Sequence, residues 1–228
     1  MKNLAETENQ LIISYIALRR AIGWLGILLP LILLFSNMVI YGCDRLIPSI
    51  SHYYYTRAGD VFVGVLCAVG IFLLCYKGYE TTPEGKPDNM DRIISSAAGL
   101  MAIGVALFPT NISDDTACDV MTLNDNGIRD TMHYIFAGLF FLLLAYMAFF
   151  RFTISKHPRA EWGERKIMRN RMYKFCGVVI VLSLLLIAVS GFVEGVENLH
   201  LTFWLEWVAL IAFGSSWLVK GELILKDN

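Results

Sequence analysis

AIGWLGILLPLILLFSNMVIYGC, residues 21–43, contains no Asp, Glu, Lys or Arg. Crossing the hydrocarbon core of a bilayer takes about 20 apolar residues in a row. Four more uncharged stretches follow, at 61–76, 93–113, 131–150 and 175–193, and a sixth, 198–219, is interrupted only by Glu206. The whole composition agrees: of 228 residues, 56% are hydrophobic and 17% charged, where soluble domains carry about 25% charge. Mean hydropathy is +0.55. These runs predict an all-α polytopic membrane protein. It forms a single domain of six transmembrane helices, over about 20–42, 58–77, 92–109, 130–151, 174–193 and 198–219, with no separate soluble domain. A net charge of −1 leaves no basic excess to neutralise phosphates, so a nucleic-acid partner is excluded.

Charge placement then orients the helices. With the N-terminus inside, 16 of the 19 Lys and Arg fall on inside segments, and the outside keeps Arg45, Arg57 and Arg129 against nine acids. Cytoplasmic loops are enriched in Lys and Arg, so both termini are expected in the cytoplasm. The membrane is read as a plasma membrane or a bacterial inner membrane. No cleavable signal is expected, because the first apolar segment is too long for a signal core and no small-residue cleavage pattern follows. Residues 4–20 place Leu4, Leu11, Ile12, Tyr15 and Ile16 near one side. They read either as a short interfacial helix or as the start of a longer first helix. Pro30 is expected to kink helix one. Small residues (Gly64 with Ala68, Ser95 with Gly99, Gly23 with Gly26) are spaced for close helix packing. A homo-oligomer stays open, although ordinary bundle packing is the simpler use of these residues.

Of five cysteines, Cys67, Cys75 and Cys176 fall in spans and read as buried apolar side chains. Cys43 and Cys118 both fall outside, on the oxidising side, and are expected to form a disulfide.

Ionisable groups at membrane depth are costly and need a partner or a task. Here they collect at the outer end. His52, Tyr54 within the run 53–55, Arg57 and Asp60 surround the start of helix two. Asp130 and His133 open helix four, and His200 and Glu206 lie in the outer half of helix six, with Asn111, Asp114 and Asp115 after helix three. Asp130 and His133 are spaced i, i+3, so the carboxylate can fix the imidazole tautomer. Arg57 and Asp60 have the same spacing and are expected to pair. His200 and Glu206 are about 120° apart on a helix, so a shared site needs residues from elsewhere between them. Glu206, between Trp204 and Trp207, is expected to face inwards with a partner.

Two readings compete. In one, this cluster is an outward-facing polar pocket, or a zinc site with candidate ligands His52, His133 and His200 and with Asp60 or Glu206 as base. In the other, the histidines cap helices, the tyrosines form an interfacial belt and Arg57–Asp60 is a local pair. His157 reads as loop. The basic stretch 151–174 either binds anionic headgroups or only sets topology.

Ile50-Ser51 outside helix one, Met132-His133-Tyr134 with Ala137 in helix four, and Glu206-Trp207 in helix six together resemble the Frag/DRAM/Sfk superfamily of six-helix membrane proteins. That family continues its Ile-Ser element with Asp and Gly, where this chain has His52-Tyr53. The resemblance implies the six-helix fold and a role in membrane lipid organisation or remodelling, with membrane lipids as partners and no assigned reaction. A weaker likeness is to seven-helix ceramidase-type hydrolases with a Ser/His/Asp zinc site. This chain has one helix fewer, and a terminal His-x-x-x-His is missing because Trp204 follows His200. Recognition of a lipid headgroup or small ligand is therefore the first functional expectation. A metal-dependent lipid amide or ester hydrolase is the second, and a small-solute transporter the third. Against the last, no inverted repeat is visible.

Overall fold

Residues 2–82, 84–111, 118, 127–155, 159–192 and 200–225 are described by the computed structural model. Asp114, Asp115, Asp119, Asp125, His157, Glu194 and Glu197 lie outside them. The described residues form helices and no strand. They are α1 (Lys2–Phe35), α2 (Gly59–Leu74), α3 (Met90–Leu107), α4 (Gly127–Tyr146), α5 (Glu164–Ser190) and α6 (Leu201–Lys220). Single wide turns of π-helix extend α1 through Ser36–Ile40 and α4 through Met147–Arg151, and a 3-10 turn, Ser51–Tyr55, precedes α2.

Five helical segments are long and apolar enough to cross a membrane: Tyr15–Ile40, Met90–Leu107, Gly127–Arg151, Glu164–Ser190 and Leu201–Lys220. α2 has 16 residues and falls short of that length; at 1.5 Å per residue it spans about 24 Å. The bundle wears its large apolar side chains outside: Phe192 is 90% exposed, and Phe175, Leu182, Leu185, Leu186 and Val189 on α5 are all exposed. Water would not tolerate such a surface on a monomer, whereas hydrocarbon does. The protein is a multi-pass membrane protein.

Several boundaries differ from the sequence reading. Residues 4–20 belong to one continuous α1, so the longer first helix is the one formed. α5 starts at Glu164, ten residues before its expected start, and its first three turns carry Arg165, Lys166, Arg169, Arg171 and Lys174. An uncharged-run criterion marks where a helix enters hydrocarbon, not where it begins. Cys75 is exposed at the end of α2, whereas Cys176 is buried.

Small residues do seat the helices. A Cβ on Gly99 would lie 2.5 Å from the Gly70 carbonyl oxygen, joining α2 to α3, and one on Gly214 would collide with that of Gly23, joining α1 to α6. Without a hydrophobic drive between helices in lipid, such close approach supplies dispersion contact. Gly64 faces open space, so the Gly64–Ala68 pair makes no close contact. Cys43 and Cys118 are joined by a disulfide, with Cα atoms 5.8 Å apart.

At the end of the bundle that carries Lys220, Arg151 pairs with Asp88 at 2.6 Å and with Asp91. Asp91 is fully buried and also accepts the Tyr79 N–H at 2.9 Å. One guanidinium thus locks the α2–α3 turn to the end of α4, a charge-assisted fork of the kind arginine favours.

Candidate functional site

The residues between α1 and α2 form a polar wedge at the other end of the bundle. Pro48 offers its carbonyl to the Phe203 N–H at 3.1 Å, which satisfies one of the donors that the first turn of α6 leaves without an intrahelical partner. Two residues on, the Ile50 N–H donates to Glu206 Oε2 at 2.6 Å. The Ser51 hydroxyl lies 3.5 Å from Glu206 Oε1 and 3.1 Å from His133 Nε2. Ser51 and His133 are both buried. A wedge of ordinary loop residues therefore links α4 to α6 through a side chain at membrane depth on each.

The tautomer of His133 follows from its other contact. Nδ1 is 2.7 Å from the Phe108 carbonyl oxygen, which only accepts, so Nδ1 carries the hydrogen and Nε2 presents its lone pair to Ser51. The i, i+3 expectation for Asp130 fails here. Asp130 Oδ1 instead accepts the Thr110 hydroxyl at 2.8 Å and the Asn111 N–H at 2.9 Å. The chain leaving α3 has donors without helical partners, and these take the carboxylate; the imidazole takes a carbonyl from the same segment.

His52 repeats the pattern. Its Nε2 meets the Asn111 carbonyl oxygen at 3.1 Å, which places the lone pair on Nδ1, 2.5 Å from Ser49 Oγ. Ser49 Oγ in turn accepts the His52 N–H at 3.2 Å. Two serine–histidine pairs, each with its ring held by a backbone carbonyl, thus flank the wedge.

The other expected site residues are placed apart from this core. Tyr54 is half-buried and packs edge-on against Tyr55, with centroids 5.3 Å apart, while the Tyr55 hydroxyl donates to the Thr110 carbonyl. Tyr53 is fully buried beside Phe203, and burial pushes its phenol up to about 12, so it stays neutral. Arg57 and Asp60 are both exposed, and the expected ion pair between them does not form, in contrast to the two that Arg151 makes. α2 begins only at Gly59, so Arg57 lies in the turn before it, where helical i, i+3 spacing does not apply. His200 caps α6 with a left-handed backbone, φ 46°, and its buried Nδ1 has no hydrogen-bond partner among the described residues. Among the described residues no three His, Cys, Asp or Glu side chains are grouped to hold a metal ion, so His52, His133 and His200 do not share one there.

Ser51 is a member of this cluster that sequence reasoning misses. Its one signal is its place beside Ile50 in the Ile-Ser element.

A comparison with protein families matches residues 46–219 to a protein of unknown function, DUF998. The matched stretch begins at the wedge and contains Ser51, His133 and Glu206. No curated protein and no solved structure matches.

Proposed function

The chain belongs to the DUF998 family of proteins of unknown function. From that premise we propose a six-span protein of the plasma membrane or bacterial inner membrane, both termini cytoplasmic, that recognises the polar end of a membrane lipid at its outer rim without catalysis.

Support for α2 as the sixth crossing comes from its neighbour. The segment from Tyr55 to Tyr76 runs beside α3 from end to end: Tyr55 bonds Thr110 beyond one end of α3, Gly70 meets Gly99 midway, and Ser95 bonds the Tyr76 carbonyl at 3.1 Å near the other end. Since α3 has the length of a span, a companion that parallels it crosses as well. The 16-to-3 division of basic residues supports the orientation.

One observation carries the recognition site. Glu206 Oε1 and His133 Nε2 are two acceptors beside a single Ser51 hydroxyl, and a hydroxyl has one hydrogen to give. Glu206 also has the Ser51 backbone N–H beside it, so the two acceptors compete for one hydroxyl and a further donor would relieve that competition. A ligand N–H or O–H supplies that donor, which selects a headgroup bearing a primary ammonium or a hydroxyl over one bearing a quaternary ammonium. The resemblance to the Frag/DRAM/Sfk superfamily points the same way, towards lipid.

The test uses full-length protein in nanodiscs with short-chain phosphatidylethanolamine and phosphatidylcholine as competing probes. Preferential retention of the ethanolamine lipid, lost in Glu206→Gln and kept in Arg57→Gln, is expected. Equal retention of both lipids defeats the proposal.

A second reading rests on Ser51 Oγ at 3.1 Å from His133 Nε2 with the ring oriented by a carbonyl: a nucleophile beside its base, the geometry of acyl transfer. Labelling of Ser51 by a fluorophosphonate, abolished in His133→Ala, would turn the assignment to an ester hydrolase.

A further inference from the structure

A polar cavity lies at the end of the bundle opposite the Ser51–His133–Glu206 cluster, which does not account for it. It has a volume of about 240 Å³ and is lined by Arg19 of α1, Lys166 and Arg169 of α5 and Lys220 of α6, with Glu222 as the one acidic residue among the described residues of its wall. Tyr76, Tyr79 and Tyr173 complete its polar lining.

Two of these cations, Arg19 and Lys220, are held by neutral groups. Arg19 lies over the Tyr15 ring at 4.3 Å and donates to the Lys220 carbonyl at 3.3 Å. Lys220 Nζ sits 4.4 Å from the Tyr79 ring centroid and 5.2 Å from that of Phe152. Lys166 donates to the Ile154 carbonyl at 3.4 Å. Cation–π and carbonyl contacts position a charge without cancelling it. The neighbouring carboxylates, Asp88 and Asp91, are already engaged by Arg151. Two buried donors facing this space, Arg19 Nε and the hydroxyl of Tyr76, have no hydrogen-bond partner among the described residues, although Tyr76 is only 1% exposed. Buried donors without acceptors are rare in folded proteins, and converging like charges are unfavourable unless an anion joins them.

We propose that this cavity binds the phosphate group of an anionic ligand, with Arg19, Arg169 and Lys220 as the charged contacts and Tyr76 as a hydroxyl donor. Arginine forks and lysine ammoniums are the groups that suit phosphate oxygens. Basic pockets between spans on the cytoplasmic side are where anionic headgroups bind, and the proposed orientation puts this end there. An apolar groove of about 370 Å³, lined by Ala145, Phe149, Gly177 and Val181 among others, opens one helical turn along α5 from Tyr173. That groove suits an acyl chain, so a phospholipid is one source of the phosphate and a soluble phosphate the other.

The experiment takes full-length protein in a neutral maltoside detergent and measures affinity for dioctanoyl phosphatidic acid, dioctanoyl phosphatidylcholine and inorganic phosphate. Phosphatidic acid is expected to bind roughly tenfold or more tighter than phosphatidylcholine, and Lys220→Gln and Arg169→Gln are each expected to weaken it roughly tenfold. Lys86→Gln, which removes an exposed cation from the same end, leaves it unchanged. If inorganic phosphate binds as tightly and with the same sensitivity to the variants, the source is soluble; if only the lipid binds, it is a headgroup. Should Lys220→Gln fail to fold, as judged by its melting and monodispersity, Arg169→Gln alone decides. Binding indifferent to the substitutions, or no binding of either phosphate probe by the wild-type protein, overturns the proposal.

Discussion

Replacing Glu206 by alanine and by glutamine tests the hydrogen-bond count at the cluster, because the two changes are expected to diverge. Alanine removes the acceptor of the Ile50 N–H, a 2.6 Å bond at a residue only 3% exposed. Loss of a charge-assisted bond that strands a buried donor costs about 1.5–3 kcal/mol. At roughly 2–4 °C per kcal/mol for a chain of this length, the melting temperature falls by about 3–12 °C. Glutamine keeps a carbonyl oxygen for Ile50 and turns the other oxygen into an NH2 donor. That donor reaches Ser51 Oγ, now 3.5 Å from the carboxylate, and frees the serine hydrogen for His133 Nε2. The imidazole and the Ile50 N–H then each keep a partner, so Glu206→Gln is expected within about 1 kcal/mol of wild type. Thermal unfolding of detergent-purified protein, followed by tryptophan fluorescence, measures both. If glutamine melts as low as alanine, the negative charge itself holds the wedge and the idea that two acceptors compete for one hydrogen is wrong.

Three further outcomes are expected. A hydrogen bond from Arg151 holds the Asp88 carboxyl below the ordinary carboxylate range. The folded chain therefore takes up that proton less readily than the unfolded one, and the stability gained above the ordinary carboxylate range drains away as pH falls from about 5. Asp88→Asn should flatten the loss of melting temperature over that window, and an unchanged acid profile would count against the pair. The Cys43–Cys118 disulfide closes a separation of 75 residues, worth about 4 kcal/mol in the chain-entropy account, so reductant or Cys118→Ser should lower the melting temperature and slow migration on a non-reducing gel; reductant without effect would contradict this. Finally, an impermeant maleimide added to intact cells should label Arg57→Cys and not Lys86→Cys. The opposite pattern inverts the orientation, and labelling of both means that α2 does not cross.

Part of this architecture is legible in the residues alone, for a physical reason. Hydrocarbon demands long uncharged runs whatever the fold, so the five long spans show in the sequence, as does the singular position of Glu206. The same rule misplaces the start of α5, because Arg165 to Lys174 are helical outside the apolar zone. Regular spacing is informative only inside a regular element, which is why the Arg57–Asp60 pairing fails at a turn.

The partners within the cluster are beyond reach of the sequence. His133 takes its tautomer from the Phe108 carbonyl, and every residue carries the same carbonyl, so no residue type announces it. Ser51 matters through contacts 82 and 155 positions away along the chain. The basic cavity draws Arg19, Arg169 and Lys220 from three helices, and Gly23 and Gly214 let α1 and α6 approach closely enough to bring two of them together. Composition and periodicity thus determined that the chain enters the membrane and how deep its charged groups lie; the packing of one helix on another decided which of them meet.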